Sequence, residues 1–233
     1  MESILKNTTC PVCGSNRFRN TKVLWPELIH DWGLNEEETA YIDRQQGLAC
    51  ETCNNNLRSM VLAKAILSRL GETKTLKEIA GRFRHRNLKI LEINEAGNLT
   101  PVLKLFPGHQ LVTYPEAEMT KLNFNNDTWD LVVHSETLEH VHDPHAGLKE
   151  CHRILKKGGA CIFTVPIVVD RMTRSRNGLK ASYHGDPTNP TEDYRVVTEF
   201  GADVWSYTIK SGFQSCRIHS MEFPGGLGLE AQK

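Results

Sequence analysis

Four of the seven cysteines in the sequence form two pairs with the same short spacing. Each pair has the pattern Cys-x2-Cys, and 36 residues separate the two pairs. Two such pairs can supply four thiolates to a tetrahedral Zn²⁺ ion, and four protein ligands leave no position open for a substrate. We therefore predict a structural zinc site; two unrelated reduced pairs, or a redox dithiol, are the alternatives. The predicted ligands are Cys10, Cys13, Cys50 and Cys53.

Histidines form a second concentration of reactive side chains, because five of the ten lie between residues 134 and 152. Among them, His140 is the strongest candidate for catalysis. A neutral imidazole can accept a proton from a hydroxyl or an amine. A hydrogen-bonding role within its own loop is an equal alternative for His140, and a second metal site is an alternative for the histidines as a group.

A long polar segment after residue 166 is rich in arginine. Residues 167–180 contain four basic side chains and one aspartate, a net charge of +3. Guanidinium groups bind carboxylates and phosphates, so we predict an anionic or sugar-like small acceptor that lies beneath this loop. Solvation of a mobile cover is the alternative. The predicted substrate-binding residues are Arg171, Arg174, Arg176, Tyr183 and His184.

The composition of the 233 residues limits the classes of partner. Lys+Arg and Asp+Glu are equal at 28 each, so no global charge steers the chain toward nucleic acid or an anionic membrane. No apolar run reaches the ~20 residues that span a bilayer. We expect a cytoplasmic protein whose cysteines are thiols or metal ligands, with a small-molecule substrate and an oligomeric state that the sequence leaves open.

The elements that position these groups follow from the hydrophobic pattern. Residues 35–46 begin with a capping box, and residues 57–70 form an amphipathic helix that ends at Gly71. Short apolar runs then alternate with helical patterns, which is typical of a parallel sheet covered by helices. We predict strands at 90–93, 110–114, 131–133 and 161–165, and helices at 144–155 and 198–211. The predicted domains are a zinc-binding helical module (1–71), a connector (72–87) and an α/β domain (88–233).

The turn after the first predicted strand, LEINEAGNLT at residues 91–100, has the layout of a cofactor loop but contains a single glycine, Gly97. Asparagine is the best replacement for glycine in the left-handed conformation, so Asn94 and Asn98 can take its place. The strain of a non-glycine residue there is on the order of 1–2 kcal/mol, which is small beside the roughly 8 kcal/mol of micromolar binding. Thr100-Pro101 then starts a helix.

Residues 124–166 carry the most specific pattern: Trp129-Asp130 opens a strand, SETLEHV follows its end, and RILKKGG leads into the next strand. The stretch resembles the second half of a class I S-adenosylmethionine-dependent methyltransferase of the type 11 group. The resemblance covers about residues 88–223. It implies a Rossmann-like, mostly parallel seven-stranded sheet and S-adenosylmethionine as the cofactor. The helix and third strand that usually precede residue 118 are missing from the sequence.

The resemblance also assigns cofactor-binding positions. Glu92 matches the family's acid at the end of the first strand, and Glu118-Met119 matches the pair beside the adenine. His134 and Ser135 match the end of the fourth strand, next to the methionine moiety, as does Glu136. Either Tyr114 or Glu116 stands where the family binds the ribose. The predicted cofactor-binding residues are Glu92, Asn94, Gly97, Tyr114, Glu116, Glu118, Met119, His134 and Ser135.

The sequence thus predicts a methyltransferase for a small polar acceptor, with the zinc module as a cover over the substrate. One alternative is an RNA methyltransferase, because certain ribosomal-RNA methyltransferases join a four-ligand zinc module to this fold; the neutral charge and the low aromatic content argue against it. The other alternative is a non-catalytic binding protein with a degenerate cofactor loop.

Overall fold

The computed structural model describes residues 8–183, 192–222 and 225–233. The α-helices are α1 (Pro26–Trp32), α2 (Glu36–Gly47), α3 (Leu57–Leu70), α4 (Leu76–Ala80), α5 (Thr100–Leu103), α6 (Pro144–Ile154) and α7 (Trp205–Lys210). The strands are β1 (Phe18–Asn20), β2 (Leu48–Cys50), β3 (Ile90–Ile93), β4 (His109–Val112), β5 (Trp129–Ser135), β6 (Leu155–Thr164), β7 (Ile167–Val168), β8 (Arg174–Ser175), β9 (Thr198–Gly201), β10 (Ser215–Met221) and β11 (Gly226–Gln232).

A twisted six-stranded sheet in the order β10-β11-β6-β5-β3-β4 forms the centre of the molecule. Strands β4, β3, β5 and β6 are parallel, whereas β11 runs antiparallel to both β6 and β10. The class I methyltransferase fold predicted from the sequence is confirmed. The predicted count of seven strands is one too high for the described residues, because the chain between Val112 and Trp129 contains turns instead of a helix and a strand.

Helix α3 covers one face of the sheet. Its N-terminus is capped by Asn56, whose side chain accepts the Ser59 N–H, and it ends at Gly71 in the left-handed conformation. The glycines of β11 let it lie close to the sheet: a Cβ at Gly226 would be 3.0 Å from Leu57 Cγ. One hydrophobic cluster includes α3 and strands β3, β5 and β6. The predicted module boundary at residue 71 therefore runs through a shared core.

Residues 8–55 form the rest of the predicted module, with α1, α2 and the antiparallel pair β1–β2. The predicted capping box of α2 is present: Asn35 Oδ1 accepts the Glu38 N–H at 2.8 Å, and Glu38 Oε2 accepts the Asn35 N–H at 2.9 Å. A two-sided cap fixes the start of α2 at the position that the sequence indicates.

The predicted helix over residues 198–211 is only half correct. Thr198–Gly201 is strand β9, which lies between β7 and β8 in a separate three-stranded sheet, and α7 starts at Trp205. At Gly201, a Cβ would lie 2.0 Å from the Arg171 carbonyl oxygen, so the small residue lets two segments cross. This tertiary contact overrides the helical pattern of the sequence. Within the described ranges, none of the helices has the length and apolar character needed to cross a bilayer.

Candidate active site

The four predicted zinc ligands converge at one point. Cys10 Sγ lies 3.7 Å from Cys53 Sγ, and Cys13 Sγ lies 3.6 Å from Cys50 Sγ. These distances are far longer than the ~2.05 Å of a disulfide bond. A tetrahedral ion with Zn–S bonds of about 2.3 Å separates its sulfur ligands by roughly 3.8 Å. The sulfur atoms therefore already stand at the spacing that a tetrahedral metal ion requires.

Both cysteine pairs have the same backbone form. In each pair, the residue after the second cysteine donates its N–H to the carbonyl of the first cysteine. Gly14 donates to Cys10 at 2.8 Å, and Asn54 donates to Cys50 at 2.9 Å. Gly14 and Asn54 have positive φ angles of 82° and 56°. The matching turns aim both sulfurs of each pair at one point, which is the geometry of a metal-binding knuckle.

The electrostatics of the cluster also favour a cation. Burial raises the pKa of Cys10, and it raises the pKa of Cys13 to about 11. Burial acts on Cys50 in the same direction, but the N–H groups of Cys53 and Thr52 outweigh it and lower the pKa of Cys50 to about 7. Four thiolates at contact distance are stable only when a cation compensates their charge.

The second cysteine pair is bonded directly to the loop after strand β3. Asn98 Nδ2 donates to the Asn54 carbonyl at 2.8 Å, and Asn55 Nδ2 donates to the Asn98 carbonyl at 3.2 Å. Asn55 Nδ2 also lies 3.4 Å from Cys53 Sγ. The sequence predicts that Asn98 replaces a glycine in the left-handed conformation, but the φ angle of Asn98 is not positive. Its side chain holds the loop against the cysteine cluster.

Asn94 is the residue that replaces a glycine. Its φ angle is 57°, equal to that of Gly97, and its Oδ1 accepts the Tyr114 N–H at 2.9 Å. Glu92 is fully buried beneath the loop, where its carboxylate accepts the Ala96 N–H at 2.9 Å and a hydrogen bond from His109 Nε2 at 2.7 Å. Glu92 therefore supports the loop from inside.

A cavity of about 690 Å³ opens where strands β3, β4 and β5 end; we call it the strand-end cavity. Open α/β sheets bind ligands at this edge, and the volume is in the range of small-molecule sites. No lysine or arginine lines it among the described residues. Its carboxylates come from Glu95, Glu118, Glu136, Glu192 and Asp193. The cavity thus suits a ligand that carries positive charge and hydroxyl groups.

Six of the nine predicted cofactor-binding residues line this cavity, and three do not. Those that line it are Asn94, Gly97, Tyr114, Glu118, Met119 and Ser135. Of the others, Glu92 braces the loop, and Glu116 is exposed, with an oxygen 3.5 Å from Thr113 Oγ1. His134 is completely buried. Of the two candidates for the ribose, Tyr114 is therefore the one at the cavity.

His134 belongs to the core of the α/β fold. Its ring stacks on Phe163 with centroids 4.8 Å apart, and burial lowers the pKa of His134 to about 3. Its ligand atoms lie within 4.8 Å of those of Cys151 and Cys161, which are also buried. The histidine is neutral at physiological pH and does not line the strand-end cavity.

A second cavity, of about 440 Å³, lies between the N-terminal residues and the sheet; we call it the apolar cavity. Most of its wall comes from residues 23–42, including Trp25, Leu28 and Trp32. It has three lining residues in common with the strand-end cavity: Glu136, His140 and Tyr194. The two cavities therefore meet at these side chains.

Glu136 lies at this junction in a backbone conformation with φ of 49°. Arg58 Nη1 lies 2.9 Å from Glu136 Oε2 and donates to Gln46 Oε1 at 2.7 Å, while Gln46 Nε2 donates to Glu136 Oε2 at 3.3 Å. The three side chains form a closed group, so the charges of Arg58 and Glu136 compensate each other at the polar end of the apolar cavity.

His140 is oriented by the backbone of a later segment. Its Nδ1 lies 3.0 Å from the Arg195 carbonyl oxygen. Because a carbonyl only accepts, Nδ1 must carry the proton, and in the neutral ring Nε2 is the basic nitrogen. Nε2 lies 3.5 Å from the buried carboxylate of Glu139. An imidazolium that formed at His140 would therefore be stabilised by that carboxylate.

The three predicted substrate-binding arginines all have carboxylate partners. Arg171 binds Glu38 in a bidentate pair at 2.7 and 2.6 Å and also donates to the carbonyls of Trp32 and Gly33. Arg174 and Arg176 both bind Glu199. The Arg171 guanidinium, together with the Asn35 N–H, lowers the pKa of Glu38 against the opposing effect of burial. The Arg171 bonds fasten the arginine-rich segment to the N-terminal module, whereas Glu199 holds Arg174 and Arg176 against strand β9.

Of the remaining predicted substrate residues, Tyr183 lines neither of the two cavities but contacts Glu192, a lining residue of the strand-end cavity. Tyr183 donates to Glu192 Oε1 at 2.9 Å, and this hydrogen bond is the main reason that the pKa of Tyr183 is raised. His184 lies outside the described residues. Glu192, Asp193 and Tyr194 also line the strand-end cavity, and none of them is predicted from the sequence. The apolar wall at residues 23–42 is not predicted either, although two tryptophans and several leucines lie close together in this part of the sequence.

Comparisons with known proteins agree with this architecture. The family model described as "Methyltransferase domain" matches residues 74–163, a range that includes strands β3 to β5 and most of β6. No curated protein matches the chain.

Solved structures to which the chain is similar include a possible histamine N-methyltransferase from Thermotoga maritima, with 15% identity and a TM-score of 0.39 over 62% of this chain and 82% of that one. A methyltransferase from Aquifex aeolicus has 13% identity and a TM-score of 0.40 over 72% and 97%. One from Methanosarcina mazei has 17% identity and a TM-score of 0.38 over 64% and 93%. Sequence identities and TM-scores this low give no information about the acceptor. The family match identifies residues 74–163 as a methyltransferase domain, and a methyltransferase activity is the function that this match supports.

Proposed function

We propose that this methyltransferase acts on a small molecule that enters the apolar cavity, with S-adenosylmethionine in the strand-end cavity. The observation that carries the proposal is the shared wall of the two cavities, at Glu136, His140 and Tyr194. A methyl group presented at this wall would face a molecule in the apolar cavity. Methyl transfer needs such an in-line arrangement of nucleophile, methyl and leaving sulfur, and positioning supplies much of the rate.

The charges of the residues that line the strand-end cavity are complementary to those of the cofactor. S-adenosylmethionine carries a sulfonium and an ammonium group against one carboxylate, and its ribose hydroxyls need acceptors. Five carboxylates line the cavity, and lysine and arginine are absent from its described wall. Asn94 and Gly97 supply the left-handed turns that the loop needs, so the single glycine does not argue for a degenerate, non-catalytic loop.

We also propose that the four cysteines hold a structural Zn²⁺ ion. The spacing of the sulfur atoms, the matching knuckles and the unfavourable charge of four thiolates support it. In this reading, the ion fixes residues 8–55, which supply both the wall of the apolar cavity and the bonds from Asn54 and Asn55 to the cofactor loop.

The size of the apolar cavity is suited to a small molecule, which supports this class of acceptor over a folded RNA. The predicted anionic or sugar-like character of the acceptor is a separate question. It depended on three arginines, and each of them is bound to a carboxylate of the protein. Arg171 forms a bidentate pair with Glu38, and Arg174 and Arg176 share the carboxylate of Glu199.

Titration calorimetry with S-adenosylhomocysteine, the demethylated product, tests the cofactor site. Gly97 and Gly71 have similar positive φ angles of 57° and 65°, and in both cases an added Cβ would meet no atom within 4 Å. Gly97→Ala and Gly71→Ala should therefore strain the backbone equally, by about 1–2 kcal/mol. We expect Gly97→Ala alone to weaken S-adenosylhomocysteine binding, by roughly tenfold. Wild-type protein that gives no heat with this ligand would refute the proposed function.

A further inference from the structure

The wall of the apolar cavity is built mainly from apolar side chains. They include those of Leu24, Trp25, Leu28, Trp32, Leu34 and Ile42. Trp25 offers a flat surface on which a planar ring can stack, whereas the ring of Trp32 is buried and has the Arg176 guanidinium 5.3 Å from its centroid. Burial of apolar ligand surface against such a wall provides binding energy without any charged contact. The composition of the wall therefore selects for a largely apolar, planar body.

The polar groups of the apolar cavity lie together at the junction with the strand-end cavity. Arg58 and Glu136 form an ion pair there, and Gln46 bonds to both. A ligand with a net charge would lose its hydration in the apolar part and could gain a counter-ion only if it broke this pair. Transfer of an unpaired charge into such surroundings is strongly unfavourable. The electrostatics of the cavity thus select for an uncharged ligand.

The basic side chains nearby do not change this balance. Arg171 is bound to Glu38, Arg174 and Arg176 to Glu199, and Lys180 to Asp31 at 2.8 and 2.9 Å. Each of the four basic groups of residues 167–180 therefore has a carboxylate partner in the protein, although Arg174 and Arg176 share the single charge of Glu199.

We propose that the acceptor is an uncharged small molecule with a planar apolar body and one hydroxyl group, which is methylated on that oxygen. This inference rests on the proposed function. The body lies against Trp25 and its neighbours, and the hydroxyl reaches the junction at Glu136 and His140. His140 has the tautomer that the transfer requires, because Nδ1 donates to the Arg195 carbonyl and Nε2 is left as the basic nitrogen.

The transfer can be written with all atoms accounted for. A lone pair of the hydroxyl oxygen forms the new O–CH₃ bond while the S–CH₃ bond breaks, and the bonding electrons return to sulfur, which becomes a neutral thioether. The hydroxyl proton passes to Nε2 of His140, and Glu139, 3.5 Å away, stabilises the imidazolium. The proton then leaves to water. The products are a neutral methyl ether and S-adenosylhomocysteine.

Three probe molecules test the class of acceptor by calorimetry on the full chain saturated with S-adenosylhomocysteine. 2-Naphthol has the planar body and the hydroxyl, 2-naphthoate has the same body with a charge, and glucose 6-phosphate is both sugar-like and anionic. Trp25→Ala removes an aromatic face of the apolar cavity, and Trp205→Ala removes a half-exposed tryptophan of α7 as a control.

We expect 2-naphthol to bind most tightly, and to bind roughly tenfold more weakly to Trp25→Ala but unchanged to Trp205→Ala. Tighter binding of 2-naphthoate or glucose 6-phosphate, or no binding of 2-naphthol, would overturn the inference. In both cases the proposed function stands if S-adenosylhomocysteine still binds. Absence of S-adenosylhomocysteine binding would remove both proposals together.

Discussion

The two cavities of this protein are built in different ways. The strand-end cavity lies at the ends of the parallel strands, and five acidic side chains line it. Most of its lining residues fall within the range that matches the methyltransferase family, and Glu192, Asp193 and Tyr194 lie outside it. The apolar cavity takes most of its wall from residues 23–42, outside that range. By the function proposed above, the cofactor lies at the edge of the sheet, whereas most of the acceptor wall comes from residues outside the matched range.

The same division explains what could be predicted from the sequence. The strands, the cofactor loop and most of its cavity follow from local patterns, because the carboxyl ends of parallel strands always meet at one edge. The acceptor side depends on contacts between distant residues. The arginines of 167–180 read as an anion site because Glu38 and Glu199 are far from them in sequence, and no local pattern pairs them.

His134 and Asn98 illustrate the same limit at single positions. His134 follows the family pattern at the end of β5, yet it is fully buried and stacks on Phe163. Asn98 stands where glycine is usual, but it bonds to Asn54 of the second cysteine pair, 44 residues earlier. In both cases the type of residue was informative, but its partner could not be seen without the fold.

Removal of a metal ligand is expected to have the largest effect, because it should unfold the segment that forms the wall of the apolar cavity. A structural zinc site contributes on the order of 10–16 kcal/mol, so Cys50→Ser should abolish the metal content and unfold residues 8–55. Cys216→Ser, at a half-buried cysteine of β10 outside the cluster, is the matched control. Elemental analysis and hydrogen exchange report the two effects. Full metal content or unchanged protection in Cys50→Ser would contradict the zinc assignment.

A smaller but still large effect is expected at the junction of the two cavities. A positioned base typically contributes 10²–10⁴-fold in rate, so His140→Asn should lower kcat by at least about 100-fold. The amide of asparagine can still donate to the Arg195 carbonyl, but it has no basic nitrogen. A variant with the wild-type kcat would show that His140 only positions its loop.

The ion pair between Arg171 and Glu38, which joins the arginine-rich loop to helix α2, is expected to have a smaller effect on stability. Arg171→Met leaves Glu38 buried without its bidentate partner, which should destabilise the contact between α2 and the loop by about 2 kcal/mol. The lowered pKa of Glu38 gives the pH dependence its sign. A carboxyl whose folded pKa is depressed stabilises the fold above its unfolded pKa, and the stabilisation is lost as the pH falls through the folded value.

Thermal unfolding across this acidic range should therefore show a steeper loss of stability in wild-type protein than in Arg171→Met. Lys180→Met, which removes an exposed ion pair with Asp31, is the control and should change stability by less than about 1 kcal/mol. If the thermal stability of wild type and Arg171→Met depended on pH in the same way, the Arg171–Glu38 pair would be excluded as a source of stability.

The smallest predicted effect concerns the link between the cysteine cluster and the cofactor loop. Asn98→Ala removes a single hydrogen bond to the Asn54 carbonyl, so cofactor affinity should fall by only about three- to tenfold. Asn126→Ala removes a side-chain partner of Arg153 away from the site and should leave cofactor affinity unchanged. Calorimetry with S-adenosylhomocysteine measures both, and an unchanged affinity in Asn98→Ala would mean that the loop needs no support from the module.

The central claim is that the cofactor and the acceptor occupy separate cavities that meet at Glu136 and His140. A crystal structure with S-adenosylhomocysteine and 2-naphthol bound together tests this claim most directly. We predict the sulfur at the strand-end side of the junction and the naphthol ring against Trp25, with its oxygen about 3–3.5 Å from the position of the transferred methyl. Both ligands in one cavity, or naphthol bound beside Arg174 and Arg176, would contradict the account.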